Sequence, residues 1–398
     1  MRLLAIAAIA AGLLSSAPAR AQETSFHDWL EGFRAEASAA GVSKEVLDSA
    51  FSGLNVNARV LELNDNQPEF SRAIWDYLDG AVSDRRVADG RRKLAENRAL
   101  LAGIEKAYGV DANVIVAIWG LESSFGAVMG DYDAIEALAT LAWKGRRSGY
   151  GRSQLIGALK IIQNGYADRS QLKGSWAGAL GQTQFIPTTY LTYAVDSDGD
   201  GHRDIWGDLG DIFASTANYL AASKYVAGNP WGVEVILPEG FDYGLSDSGN
   251  RRALAEWAAM GMKAAKGSLI GVYDPNLRAR LLLPAGAKGP AFLVFQNFEA
   301  ILKYNSSSAY ALAVGMLAKR IGGGEDMVVA SWPRSDRPLS LSERKTLQQA
   351  LKDKGFDPGP VDGVIGAGTR RALRDWQRSR NLPADGYASA ATLLALTS

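Results

Sequence analysis

The chain has 398 residues, 47% apolar and 22% charged, a composition typical of a globular protein too long for one ordinary core. Basic and acidic residues number 43 each, so the charge balance implies no nucleic-acid partner. The absence of cysteine excludes disulfides, a thiolate nucleophile and a lipid-anchored N-terminal cysteine. The two histidines, His27 and His202, lie far apart in sequence, which disfavours a zinc site and a Ser-His-Asp triad.

The first 21 residues have the three parts of a secretory signal peptide. Arg2 supplies the positive charge, residues 3–14 form an apolar stretch, and ARA at residues 19–21 is an A-x-A cleavage site. A mature chain beginning near Gln22 keeps 41 basic residues against 43 acidic ones, because two arginines leave with the signal. The apolar stretch is shorter than the roughly 20 residues of a membrane-spanning helix, and no better candidate follows. We therefore predict an exported, periplasmic protein without a transmembrane segment.

The periodicity of apolar residues changes along the chain. Spacings of three and four residues predict a mainly α domain over residues 26–227, followed by renewed helix over 298–321. The intervening region, residues 231–295, is predicted to hold a small sheet. The clearest helical stretches are residues 93–108, 134–141 and 212–224, and the predicted strands are residues 233–237, 279–283 and 291–295.

A glycine run and a proline-containing segment predict a linker over residues 326–338, which divides a domain of residues 22–325 from a unit of residues 339–398. In this unit we predict helices that open at Ser342 and Thr369, then a short third helix. The shared core is predicted to contain Leu347, Leu351, Ala372, Leu373 and Trp376. With GPVDG at 359–363, WQ at 376–377 and LPADG at 382–386, the unit resembles the three-helix peptidoglycan-binding domain found in many cell-wall enzymes.

The segment 110–125 is apolar around nearly its whole circumference, which predicts a buried helix. With Asp111 as N-cap and Gly126 as the residue after its end, Glu122 falls in the last turn. Burial and the negative end of the helix dipole should both raise the pKa of Glu122, as a general acid near neutral pH requires. Taken alone, such a residue is more often a structural glutamate that pairs with an arginine at a helix end.

Three motifs follow in order: ESSFG at 122–126, GQTQFIP at 181–187 within a small-residue segment, and YN at 304–305 before a helix. Small residues let backbone approach a ligand, and amides can bond sugar hydroxyls and acetamides. Together the motifs resemble the B-type lytic murein transglycosylases, a lysozyme-like family, over residues 26–321. The resemblance implies a mainly α (α+β) fold, in which a lysozyme-like catalytic domain with a small β insertion precedes the peptidoglycan-binding domain.

The resemblance also implies roles for individual residues. The catalytic acid and base falls on Glu122, and groove-lining positions fall on Ser175 and Gln184. Each of the aromatic matches has core packing as its alternative, because aromatic residues at helical spacing usually pack. The further substrate-binding positions are Tyr77, Tyr219, Tyr304, Asn305 and Tyr310.

The implied reaction cleaves peptidoglycan between N-acetylmuramic acid and N-acetylglucosamine and forms 1,6-anhydromuramic acid ends, with a single glutamate and no cofactor required for the chemistry. A lysozyme-type hydrolase is the alternative, and it needs a second carboxylate. Asp131 and Asp133 are the nearest candidates in sequence. A non-catalytic cell-wall binding protein with a structural Glu122 is the third possibility.

Residues 196–211 resemble a lengthened calcium loop. Asp196, Asp198 and Asp200 occupy positions 1, 3 and 5 of an EF-hand pattern, and His202 offers its carbonyl at position 7. Position 12 is a glycine instead of the usual glutamate, so the closing carboxylate is expected from Asp211, or else from Asp208. Because related enzymes bind calcium in a similar loop, we predict a structural calcium; the alternative is a turn with solvated carboxylates.

Overall fold

The structure is a computed structural model that describes residues 25–65, 72–246, 249–325 and 328–398. These residues form 17 α-helices and seven short β-strands, so the fold is mainly helical with small sheets, as the sequence predicts. The helices are α1 (Phe26–Ala39), α2 (Lys44–Phe51), α3 (Ala58–Asp65), α4 (Ile74–Ala81), α5 (Asp84–Glu96), α6 (Arg98–Tyr108), α7 (Ala112–Ser123), α8 (Ala134–Lys144), α9 (Ser148–Gln163), α10 (Pro187–Tyr193), α11 (Leu209–Ala222), α12 (Leu254–Ala259), α13 (Gln296–Tyr304), α14 (Ser308–Ile321), α15 (Leu341–Asp353), α16 (Ala367–Ser379) and α17 (Ala390–Thr397). The strands are β1 (Tyr132–Asp133), β2 (Lys173–Gly174), β3 (Gly232–Ile236), β4 (Arg252–Ala253), β5 (Lys263–Ala264), β6 (Arg278–Leu282) and β7 (Ala291–Val294).

The predicted signal peptide, residues 1–21, lies outside the described residues. Within the four described ranges, no helix is both long enough and apolar enough to cross a membrane.

Helix α7 lies in the largest core and packs against α5, α6, α11 and α14. Every residue from Val114 to Gly120 is buried, which confirms the prediction made from its apolar circumference. The stretch predicted as helical over 93–108 is divided at Asn97, where α5 ends and α6 begins. The Asn97 side chain donates to the Lys93 carbonyl at 2.9 Å and so satisfies an acceptor that the helix end would leave free.

The larger sheet has the strand order β4-β6-β7-β3-β5, and all its neighbours are antiparallel. The three predicted strands correspond to β3, β6 and β7. Glu234 in β3 is buried, and its carboxylate accepts the main-chain N–H groups of Val329 at 2.6 Å and Ala330 at 2.8 Å. These bonds hold the chain that follows α14 against the sheet.

The C-terminal unit is a bundle of α15, α16 and α17 whose shared core contains the five apolar residues named from the sequence. Helix α15 begins at Leu341, one residue before the predicted start, because Ser340 and Glu343 form a capping box. Helix α16 begins at Ala367, two residues before the predicted Thr369, with Gly366 as its N-cap.

This bundle contacts the turn between β6 and β7. The Asp385 carboxylate accepts the Ala287 N–H at 2.7 Å, and a side chain on Gly286 would collide with Asp385 and Tyr387. The segment predicted as a linker also lies against the first domain where it is described. Arg334 forms a bidentate ion pair with Asp79 of α4 at 2.8 and 3.0 Å.

Candidate active site

Glu122 lies at the C-terminal end of buried helix α7, with its side chain half-buried. The helix ends differently from the prediction, because the left-handed turn begins at Ser124 (φ 51°) and continues through Phe125 (φ 60°) before Gly126 (φ 84°). Asp111 is the N-cap residue, but its carboxylate binds the Tyr225 hydroxyl instead of capping the helix. The tight turn leaves Glu122 at the edge of the core, where a substrate can reach it.

Tyr310 donates a hydrogen bond from its hydroxyl to Oε1 of Glu122 at 2.6 Å. Tyr310 is buried in the first turn of α14, which the Ser307 side chain caps. Burial raises the pKa of Glu122 to about 7, and the Tyr310 hydrogen bond acts in the opposite direction. A carboxyl group with this pKa can both give and take a proton near neutral pH.

The structure places a group of tyrosines near Glu122. Burial, and then the Glu122 carboxylate, raise the pKa of both Tyr77 and Tyr304, so both lie within electrostatic range of that carboxylate. The Tyr304 hydroxyl donates to the Thr183 carbonyl at 2.7 Å. Tyr219 packs against Tyr304, with 5.1 Å between the two ring centroids. Its hydroxyl donates to the Lys303 carbonyl.

The two predicted groove residues both shape the loop that carries them. Ser175 Oγ accepts the Ala179 N–H at 3.0 Å. Gln184 has a left-handed backbone (φ 51°), and its amide donates to the carbonyls of Met129 and Gly181 at 2.9 and 2.8 Å. These contacts fold the small-residue segment tightly, and their role toward a substrate stays a prediction.

Gln182 is a buried residue of the same motif to which the sequence assigned no role. Its Oε1 accepts the Trp119 indole N–H at 2.7 Å, and its Nε2 donates to the Trp206 carbonyl at 2.6 Å. It thereby ties α7 to the loop before α11. A Cβ on Gly126 would lie 2.4 Å from Gln182 Oε1, so this contact and the positive φ both explain the glycine. The sequence signal that could have identified it is the first glutamine of GQTQ, next to the assigned Gln184.

Asn305 is exposed after the end of α13, and its Oδ1 accepts the Ser307 N–H at 3.0 Å. The structure therefore places this side chain in the turn before α14, which leaves its amide nitrogen open to solvent. Its predicted contact with a substrate stays a prediction.

Asp196, Asp198 and Asp211 each offer an oxygen atom, and these atoms lie within 4.8 Å of one another. Asp211 is 2% exposed, and its oxygens accept the N–H groups of Ser197 and Asp204, both at 2.7 Å. Asp208 is instead the N-cap residue of α11 and does not belong to this group of carboxylates. Asp200 and His202 are exposed and lie outside the group of three.

The chain matches two family models. Residues 25–319 match the transglycosylase SLT domain, and residues 340–396 match a peptidoglycan binding domain. The chain therefore belongs to the SLT-domain lytic transglycosylases and carries a C-terminal peptidoglycan-binding domain, which confirms the resemblance found in the sequence. It is an enzyme that acts on peptidoglycan.

Particular relatives agree with this assignment. Membrane-bound lytic murein transglycosylase B of Escherichia coli strain K12 is 35% identical over 297 residues, which cover 71% of this chain and 79% of that protein. The crystal structure of SltB3 from Pseudomonas aeruginosa in complex with NAG-anhNAM-pentapeptide is 51% identical, with a TM-score of 0.91, and covers 94% of this chain and 100% of that one. The Escherichia coli lytic transglycosylase Slt35 in complex with calcium is 30% identical, with a TM-score of 0.63, and covers 74% of this chain and 92% of that one.

Proposed function

We propose that Glu122 performs both proton transfers of the lytic transglycosylase reaction, first as acid and then as base. The observation that carries this proposal is its half-buried carboxyl group, with a pKa of about 7 and a hydrogen bond from Tyr310. A protonated carboxyl can donate to a leaving oxygen, and the carboxylate that remains can accept a proton afterwards.

The first step transfers the Glu122 proton to the glycosidic oxygen between N-acetylmuramic acid and N-acetylglucosamine, and the bond from that oxygen to C1 breaks. The acetamide carbonyl of the muramic residue stabilises the cationic C1. The Glu122 carboxylate then removes the proton of the 6-hydroxyl of the same muramic residue. The oxygen of that hydroxyl bonds to C1 and closes the 1,6-anhydro ring. The anhydro sugar bound by SltB3 supports this product.

The two nearest acidic residues in sequence give little support to hydrolysis. Asp131 is exposed, whereas Asp133 caps α8 and forms an ion pair with Arg169 at 3.2 Å. The raised pKa of Glu122 has burial as its cause, and the Tyr310 hydrogen bond opposes it. A hydrolase would place a second carboxylate roughly 5 to 9.5 Å from the acid.

Digestion of peptidoglycan by this protein is expected to release fragments lighter by one water than hydrolysis products and without reducing ends. Mass spectrometry of the soluble fragments, together with a reducing-end assay, measures both properties. A lysozyme that digests the same material provides the control. Equal amounts of fragments and new reducing ends would contradict the proposal.

The rate is expected to decrease as pH rises through about 7, because Glu122 must be protonated for the first step and loses its proton there. Initial rates on soluble glycan strands between about pH 5 and 9 measure this dependence. Tyr310→Phe removes a hydrogen bond that lowers the pKa, so its rate should decrease at a higher pH than that of the wild type. An unchanged profile in this variant, or no decrease near pH 7, contradicts the assignment.

We also propose a structural calcium ion held by Asp196, Asp198 and Asp211. Calcium binds oxygen ligands at about 2.3–2.6 Å, so oxygens up to about 5 Å apart can share one ion. Asp200 and the His202 carbonyl stay predicted ligands. The calcium complex of Slt35 supports the proposal. The ion would stiffen the loop before α11, and no proton transfer depends on it.

The C-terminal bundle is proposed to bind peptidoglycan and to hold the enzyme on its substrate, in agreement with its family match. We further propose that the enzyme acts in the periplasm. The signal features of residues 1–21 and the cell-wall substrate support this location.

A further inference from the structure

A cavity of about 590 Å³ lies beside the turn that follows Glu122, and four of its nine lining residues are cations. We call it the cationic pocket. Helix α5 provides one wall and the turn after α7 provides the other. Arg85, Arg86, Arg92 and Lys93 line it together with one carboxylate, Asp89, and with Ser124 and Phe125 of the turn.

The left-handed turn fixes this pocket next to Glu122. Ser124 and Phe125 are the second and third residues after the glutamate, and both have positive φ angles. The Phe125 ring lies so close to Gly120 that a Cβ there would approach it to 2.6 Å. The ring also stands edge-on to Trp119 at 5.4 Å between centroids. This packing joins the pocket wall rigidly to the helix that carries the catalytic group.

Two of the four cations are paired with neighbouring carboxylates of the same helix. Arg92 pairs with Asp89 at 2.8 Å and with Glu96 at 3.2 Å. Lys93 pairs with Glu96 at 3.0 Å and lies over the Trp119 ring. These two side chains are therefore held mainly by their own partners.

Arg85 and Arg86 are not neutralised to the same degree. Arg85 is almost fully exposed and meets Asp89 at 3.9 Å. Arg86 forms no ion pair with any described residue, and its Nη1 donates to the Gly80 carbonyl at 2.6 Å. A guanidinium has five N–H donors, and this hydrogen bond uses one of them.

Arg86 also acts on the same tyrosine as the catalytic group. Burial raises the pKa of Tyr77 most, the Glu122 carboxylate raises it further and Arg86 lowers it, so both charged groups are near this tyrosine. Arg86 and the turn directly after Glu122 line the same cavity, so a group bound at Arg86 lies beside that turn. Because the sugar rings of the glycan carry no charge, the part of the substrate that matches a guanidinium is the peptide stem, which ends in a carboxylate.

Resting on the proposed function, we propose that the cationic pocket binds carboxylates of the peptidoglycan peptide stems, with Arg86 as the main contact and Arg85 as a second one. The relative SltB3 is known in complexes with glycan fragments that carry pentapeptides, so a stem can accompany the sugar into such an enzyme. The pocket would then make the enzyme prefer strands that retain their stems.

The test compares two substrates that differ in charge alone: soluble glycan strands with intact stems, and the same strands after chemical amidation of their carboxyl groups. For the wild type, amidation should raise KM about tenfold, and added salt should raise KM for the native strands only. For the double variant Arg85→Gln/Arg86→Gln, KM should be the same on both substrates. Arg98→Gln, an exposed arginine at the start of α6, is the matched control and should behave as the wild type.

Further variants separate recognition from folding. Arg86→Lys keeps the charge and should recover part of the preference for native strands. Arg85→Gln alone changes an exposed side chain, so this variant should fold even if the double variant folds poorly. It should show a smaller loss of the preference for native strands. Equal KM values of the wild type on both substrates would overturn the inference. A double variant whose KM increases by the same factor on both substrates would also overturn it. Failure of the wild type to form anhydro ends on either substrate would instead reject the proposed function.

Discussion

Replacing Glu122 by glutamine is expected to lower kcat by about 10⁴-fold, because the amide can neither donate the first proton nor accept the second. The fold should remain intact. Glutamine has nearly the same shape, and its carbonyl oxygen can still accept the Tyr310 hydroxyl. Release of soluble fragments from peptidoglycan measures the activity, and thermal unfolding measures the stability.

The matched control is Glu239→Gln, which makes the same chemical change at an exposed position after β3. It should leave both activity and melting temperature unchanged. Undiminished clearing of cell walls by Glu122→Gln would show that Glu122 is structural and that the catalytic group lies elsewhere. A loss of activity together with a large loss of stability would also contradict the assigned role.

Replacing Asp211 by alanine is expected to lower the free energy of unfolding by about 3 kcal/mol, because the N–H groups of Ser197 and Asp204 lose their acceptors in a partly buried loop. For a domain of about 300 residues, the melting temperature should decrease by roughly 5 °C. Calcium at about 100 times its Kd should stabilise the wild type by about 2.7 kcal/mol. The variant should gain much less, since it lacks the buried ligand.

Thermal unfolding with calcium and with a chelator measures both effects. Asp375→Ala is the control, because that aspartate is exposed and its ion pair with Arg378 contributes little. If the wild type has the same melting temperature with calcium and with chelator, the proposed calcium site is wrong. An Asp211→Ala protein as stable as the wild type in chelator contradicts the structural part of the prediction.

Much of the architecture could be predicted because it depends on local patterns. The apolar circumference of α7 predicted its burial, and the ordered motifs predicted the family. The lengthened loop already pointed to Asp211, and the structure brings its carboxylate within reach of Asp196 and Asp198. The burial of α7 was inferred from residues close together in sequence, where spacing determines which side chains share a face. The family was inferred from short motifs, each of which is contiguous in sequence.

The features that escaped prediction depend on contacts between distant segments. The resemblance implied a role for Tyr310 at the site, but its hydroxyl bond to Glu122, 188 residues away, is visible only after α14 packs against α7. Gln182 bonds Trp119 across 63 residues. The left-handed turn at Ser124 and Phe125 has no sequence signature, because both residues ordinarily avoid that conformation. Periodicity describes one element at a time and carries no information on which elements meet.

The bond between Asp385 and the main chain at Ala287 has a consequence for how the enzyme advances along its polymer. A domain on a free tether lets the reactive group explore a volume set by the length of the tether. Here the bundle is docked on the domain that carries Glu122, so attachment point and cutting point are separated by one fixed distance. If the bundle binds the same strand that Glu122 cleaves, the docked arrangement would determine how far from the attachment point a bond must lie to reach the active site.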